Sequence, residues 1–84
     1  MTFELTYPDL AVLLKSKAGI TIDPDELARP DATFEEFGVD SLGLLGVVGE
    51  LENRHGVSIP SGAESAKTPA EFVDAVNSAV KAGA

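Results

Sequence analysis

The chain has no cysteine. That excludes a disulfide framework and any covalent chemistry on a thiol of its own. Its only histidine is His55, so no second imidazole is available to build a metal cluster or a relay. No apolar run approaches the roughly 20 residues that span a bilayer. The start, Met1-Thr2-Phe3-Glu4-Leu5-Thr6, lacks the basic stretch and apolar core of a secretory signal. The expected compartment is therefore the cytoplasm, with no membrane partner. Basic residues are scarce: 6 Lys and Arg stand against 14 Asp and Glu, a formal net charge of −8. Such a surface repels nucleic-acid phosphates. It favours partners with basic docking faces, met through encounters that weaken with salt, and it also keeps a protein soluble. Length is short as well. Eighty-four residues make one domain, 1–84, with a modest core and no room for a walled catalytic cavity. A monomer is expected. The apolar fraction, 44%, is enough for a globular fold and too high for general disorder.

What is present centres on Gly38-Val39-Asp40-Ser41-Leu42 and the apolar run Gly43 to Leu51 behind it. Gly38 can take a left-handed turn without steric cost. Asp40 is a helix cap, accepting from a free backbone N–H. Ser41 becomes the first helical residue, its hydroxyl at the positive end of the helix dipole, where a phosphate group is well held. Taken alone, Asp40-Ser41 reads as a plain helix cap, and it is the longer string around it that points further.

The rest reads as an all-α chain. Thr6 caps a first helix with Pro8 in its first turn and Asp9 favouring the dipole. Leu10, Leu13 and Leu14 recur at helical spacing, Lys15 and Lys17 suit the C-terminal end, and Gly19 stops it. Residues 20–39 form a long connection with turn signals at Asp23-Pro24-Asp25 and Arg29-Pro30-Asp31. Twenty structureless residues are unusual in a compact domain, so local order is expected. Thr33-Phe34-Glu35-Glu36 is a capping box, and Phe34, Phe37, Ile22 and Leu27 are expected to pin the loop to the core. Asp23, Asp25 and Glu26 lack the calcium-loop pattern, and no metal is expected. Ser58-Ile59-Pro60-Ser61-Gly62 is a break, followed by one short helical turn at Ala63 to Ala66. Thr68-Pro69-Ala70-Glu71 starts the last helix, whose apolar stripe is Phe72, Val73, Val76, Ala79 and Val80. Ala82-Gly83-Ala84 should fray. The fold expected is a small four-helix bundle, three longer helices and one short, with a long first loop.

On the helix from Ser41 to about His55, Leu44, Val47, Val48 and Leu51 fall on one arc, the core face. Leu42, Leu45, Gly46 and Gly49 fall on the opposite arc, with Glu50 and Glu52 at its flanks. Two readings compete: the long loop covers this second arc, or it is an apolar docking face beside Ser41. Gly43, Gly46 and Gly49 each cost roughly 1 kcal/mol relative to alanine in a helix interior.

The string Phe37-Gly38-Val39-Asp40-Ser41-Leu42, with Leu51-Glu52-Asn53-Arg54-His55-Gly56-Val57-Ser58-Ile59-Pro60 and Thr68-Pro69 downstream, resembles the acyl carrier proteins over roughly Leu10 to Val80. The resemblance implies that Ser41 carries 4'-phosphopantetheine through a phosphodiester, with Asp40 capping the helix beside it. It also implies that the arm's thiol holds acyl chains, and that the Ser41 helix is the main partner-recognition element. The candidate contacts there are Leu42, Leu45, Gly46, Gly49, Glu50 and Glu52. The chain departs from many relatives at Gly43, Gly46 and Gly49, where larger or acidic residues are common. Residues 34–42 and 51–60, with Thr68-Pro69 and Val76-Asn77, look most like the discrete carriers of bacterial type II aromatic polyketide synthases. Leu42-Gly43-Leu44-Leu45-Gly46 points, among these, to a spore-pigment type. The implied partners are a phosphopantetheinyl transferase, a malonyl transferase, a ketosynthase with its chain-length factor, a ketoreductase and a cyclase.

Three other readings stand beside this one. A fatty-acid carrier shares the fold and the serine, but typical ones are more acidic along the second helix. An esterase signature, Gly-Asp-Ser-Leu, is similar to Gly38-Val39-Asp40-Ser41-Leu42, but serine chemistry needs a base within hydrogen-bond reach. His55 is fourteen residues along the same helix, roughly 21 Å away at 1.5 Å per residue. An unmodified acidic helical interaction domain is separated from a carrier by intact mass after incubation with coenzyme A and the transferase.

Overall fold

The computed structural model describes residues 3–82. Of Ala82-Gly83-Ala84, expected to fray, Ala82 is still helical; Gly83 and Ala84, and the first two residues of the amino-terminal stretch, lie outside the described residues. The order is α1 (Tyr7–Ala18), α2 (Pro24–Leu27), α3 (Ser41–His55), a 3₁₀ turn (Ala63–Ser65) and α4 (Pro69–Ala82). Among the described residues there is no strand. Among the described residues, no helix is long and apolar enough to cross a membrane.

The starts of the long helices, and the ends of α1 and α3, follow from local sequence. Thr6 Oγ1 accepts from Asp9 N, and Gly19 closes α1 in the left-handed region at φ 70°. Asp40 caps α3, and Gly56 ends it at φ 64°. At α4, Thr68 Oγ1 accepts from Glu71 N while Glu71 Oε2 accepts from Lys67 N, so the box closes one residue ahead of the cap.

Burial follows the helical periodicity. Leu10, Leu13 and Leu14 of α1, Leu44, Val47, Val48 and Leu51 of α3, and Phe72, Val76 and Val80 of α4 are buried in one core. Helix α1 packs along α3, and the 3₁₀ turn bridges α3 and α4. The amino-terminal segment is fixed by a contact that local spacing does not reveal. Leu5 N donates to Asn77 Oδ1 at 2.7 Å, and Asn77 Nδ2 donates to Leu5 O at 3.1 Å. One amide side chain thus pairs both backbone groups of a buried residue, which would be costly to leave unpaired.

The long connection differs from the expectation in one respect. It contains a full helical turn, α2, where the sequence suggested only a turn signal. Asp23 Oδ1 accepts from Asp25 N, Pro24 opens the turn, and Leu27 is buried beneath it. Farther on, Thr33 Oγ1 accepts from Glu36 N and Phe34 N donates to Lys67 O at 2.9 Å. Phe34 is buried, edge-on to Phe72 with ring centroids 6.1 Å apart. Ile22 and Leu27 join the same core. Phe37 is only half-buried, and its ring lies under the Arg29 guanidinium at 5.9 Å.

Candidate functional site

The site is the junction where residues 33–39 hand the chain to α3. Backbone bonds from Phe37 N to Phe34 O, from Gly38 N to Glu35 O and from Val39 N to Phe34 O close these residues into one compact turn. Gly38 sits at φ 76°, which a side chain would strain. Val39 is buried, so the turn is keyed into the core immediately before Asp40 and Ser41.

Asp40 is extended, and its Oδ1 accepts from Gly43 N at 2.9 Å. Ser41 is the first helical residue and is exposed. It stands at the amino end of a 15-residue helix whose first turn contains no acidic residue. Within that turn the dipole and the first N–H groups meet no carboxylate other than that of the Asp40 cap, whose Oδ1 is already engaged. His55 is at the opposite end of the same helix. Its ring stacks on Phe3 with centroids 3.7 Å apart, so it has a structural partner far from Ser41.

The second arc of α3 is not covered by the loop. Leu42 is 74% exposed and Leu45 50%. Gly49 is exposed, and a Cβ there would meet nothing within 4 Å. Gly46 is exposed too, but lies against α1: its Cβ would sit 3.5 Å from Lys17 Cβ. Gly43, one turn before, lies tighter still against α1, with its Cβ position 3.1 Å from Ala18 Cβ. The three glycines thus have different settings, which helical spacing alone could not separate.

Glu50 and Glu52 carry internal bonds. Lys17 Nζ lies 3.1 Å from Glu50 Oε1, and Arg54 Nη2 lies 2.9 Å from Oε2. Lys17, through its hydrogen bond and its charge, holds the Glu50 carboxyl below the usual glutamate range; partial burial opposes this and Arg54 adds to it. Glu52 Oε2 accepts from Ile59 N at 2.8 Å, stitching the end of α3 to the segment beyond it. Sequence reading assigned Lys17 only to the helix dipole, because its ion pair depends on how α1 crosses α3. A groove of about 280 Å³ runs beside the junction, lined by Lys17, Ala18, Ile20, Gly38, Asp40, Leu42 and Gly43.

A family model described as "Phosphopantetheine attachment site" matches residues 9–76, most of the chain and the whole junction. Over 84 aligned residues the chain is 46% identical to a probable acyl carrier protein of Streptomyces coelicolor, covering 99% of this chain and 93% of the relative. The chain belongs to the acyl carrier proteins. It is also 47% identical over 81 residues to the curamycin polyketide synthase acyl carrier protein of Streptomyces cyaneus, covering 96% of this chain and 93% of that one. The solved structure of the actinorhodin holo acyl carrier protein from S. coelicolor superposes at a TM-score of 0.80 with 39% identity, over the full length of both chains.

The cofactor of this carrier is 4'-phosphopantetheine. The junction fits such a group: an exposed hydroxyl at a helix amino end, a cap whose carboxylate is occupied, and a first turn free of other negative charge.

Proposed function

We propose that the chain is a non-catalytic carrier, holding polyketide intermediates as thioesters on a phosphopantetheine arm joined to Ser41. The observation that carries this reading is the placement of Ser41, exposed at the start of α3, within a chain so similar to polyketide carriers along its whole length. When bound, the cofactor supplies a thiol, which the polypeptide lacks. The chain's own residues supply position. Asp40 fixes the first turn, Gly38 turns the chain, and the buried Val39 anchors the junction. Val39, with Phe34 and Ala66, lines a recess of about 400 Å³ beside the turn, of a kind that can shelter an acyl chain.

Leu42 and Leu45, with the open Gly49 one turn beyond Leu45, form the apolar contact that partner enzymes meet next to Ser41; Gly46 borders it. Glu50 and Glu52 are then flanking residues that hold α3 in place more than they greet a partner. The partners proposed are a phosphopantetheinyl transferase, a malonyl transferase, a ketosynthase with its chain-length factor, a ketoreductase and a cyclase, met in the cytoplasm. A fatty-acid role is less well supported: the relatives named for a pathway belong to polyketide synthases, and the first turn of α3 has no acidic residue.

The test is intact mass in two steps. Coenzyme A and a phosphopantetheinyl transferase should add one phosphopantetheine mass, and malonyl coenzyme A with a polyketide malonyl transferase should then add one malonyl group. A chain that accepts the first and refuses the second in favour of fatty-acid enzymes would shift the reading to fatty-acid synthesis.

A further inference from the structure

The loop before Ser41 contains one cation among many carboxylates. Arg29 Nε lies 3.2 Å from Glu26 Oε1, Nη1 lies 3.4 Å from Asp31 Oδ1, and Nη2 pairs with Glu36 Oε1. Its guanidinium also faces the Phe37 ring at 5.9 Å. Nε is buried and, despite the nearby Glu26 carboxylate, is not aligned for a hydrogen bond. The group is packed into the loop rather than waving from it.

Arg29 ties two parts of the loop together. Glu26 belongs to α2, on one side. Glu36 and Phe37 belong to the turn 33–39 that delivers Asp40 and Ser41. That turn is held from the inside by Phe34, Val39 and the bond to Lys67 O. On its outer side, among the described residues, the polar side-chain contacts between 23–31 and 34–38 all run through Arg29. A single exposed ion pair contributes little, but a planar guanidinium shared among several carboxylates is the arrangement in which surface charges count. Without it the turn is anchored on one side only.

We infer that Arg29 is a positioning residue for modification of Ser41, acting through Glu36 and Phe37 to hold the turn that presents the hydroxyl. The inference rests on the Ser41 reading above. Lysine is a poor substitute, because a point charge cannot serve three carboxylates and a ring at once.

The test compares initial rates of phosphopantetheine transfer, read by intact mass, for the full chain, Arg29→Ala, Glu36→Gln and the double variant. The two single changes alter net charge in opposite directions. Steering alone would make one slower and the other faster for a given partner. Positioning makes both slower. The expected result is a fall in kcat/KM of about fivefold for each single variant, comparable to the loss of one networked surface contact. The double variant should be no slower than Arg29→Ala, as for two residues sharing one interaction. Arg29→Lys should recover part of the rate, and the amide resonances of residues 38–42 should shift in both single variants. Single variants that move the rate in opposite directions, or leave it unchanged while the unaltered chain is modified, overturn the inference and leave the Ser41 reading intact. A chain that takes no group at all overturns both.

Discussion

At the scale of single residues, the core and the open face of α3 differ by a turn of the helix. Val48 is buried at 6% exposure, and Leu45, three residues before it, is half in solvent. An aspartate at position 48 would be an unpaired charge in an apolar core, whereas one at 45 would remain hydrated. Val48→Asp is therefore expected to unfold the protein. Leu45→Asp should cost under about 1 kcal/mol, as for an ordinary surface change, while sharply slowing phosphopantetheine or acyl transfer. Thermal melting and transferase kinetics on the two variants check this; equal melting losses would place Leu45 in the core. The division was legible in the sequence because 100° per residue separates the arcs without knowledge of the partner helix. The pairing of Leu5 with Asn77, and of Lys17 with Glu50, was not legible. Each joins residues far apart in the chain, and no local period encodes such contacts.

At the scale of elements, the helix boundaries followed from short-range chemistry: Thr6, Asp40 and Thr68 at the starts, Gly19 and Gly56 at two of the ends. Helix α2 was harder to see because four residues are too few to show a period; only the Asp23 cap and Pro24 marked it. Along α3 the three glycines looked equivalent in sequence, and packing separates them. Gly49 faces open space in ordinary helical geometry. Gly49→Ala should stabilise the fold by about 0.5–1 kcal/mol, raising Tm by roughly 4–8 °C per kcal/mol for a domain of this size. Gly43→Ala meets Ala18 Cβ at 3.1 Å, and crowding of that kind cancels or exceeds the same propensity gain. Melting curves of the pair should rise for position 49 and stay level or fall for position 43. A gain at both would mean that α1 and α3 separate more easily than their contact suggests.

At the scale of the whole molecule, the net charge of −8 is unevenly placed. Asp23, Asp25, Glu26, Asp31, Glu35 and Glu36 are all exposed on the loop before α3. On α3 itself, Glu50 is neutralised by Lys17 and Arg54. On the proposed reading, the field that would attract a basic partner comes chiefly from the loop, and the contact made on arrival is the apolar face of α3. Association with the transferase should accordingly be faster at low ionic strength and slow as the Debye length shrinks from about 10 Å at 0.1 M salt. An association rate that does not respond to salt would remove steering from the account. The most direct measurement is peptide mapping by tandem mass spectrometry after incubation with coenzyme A and a phosphopantetheinyl transferase, on the unaltered chain and on Ser41→Ala. The account predicts one phosphopantetheine on the peptide containing Ser41, and none on a Ser41→Ala protein that folds and melts as before. A group found on another residue, or a Ser41→Ala variant that is still modified, would contradict it.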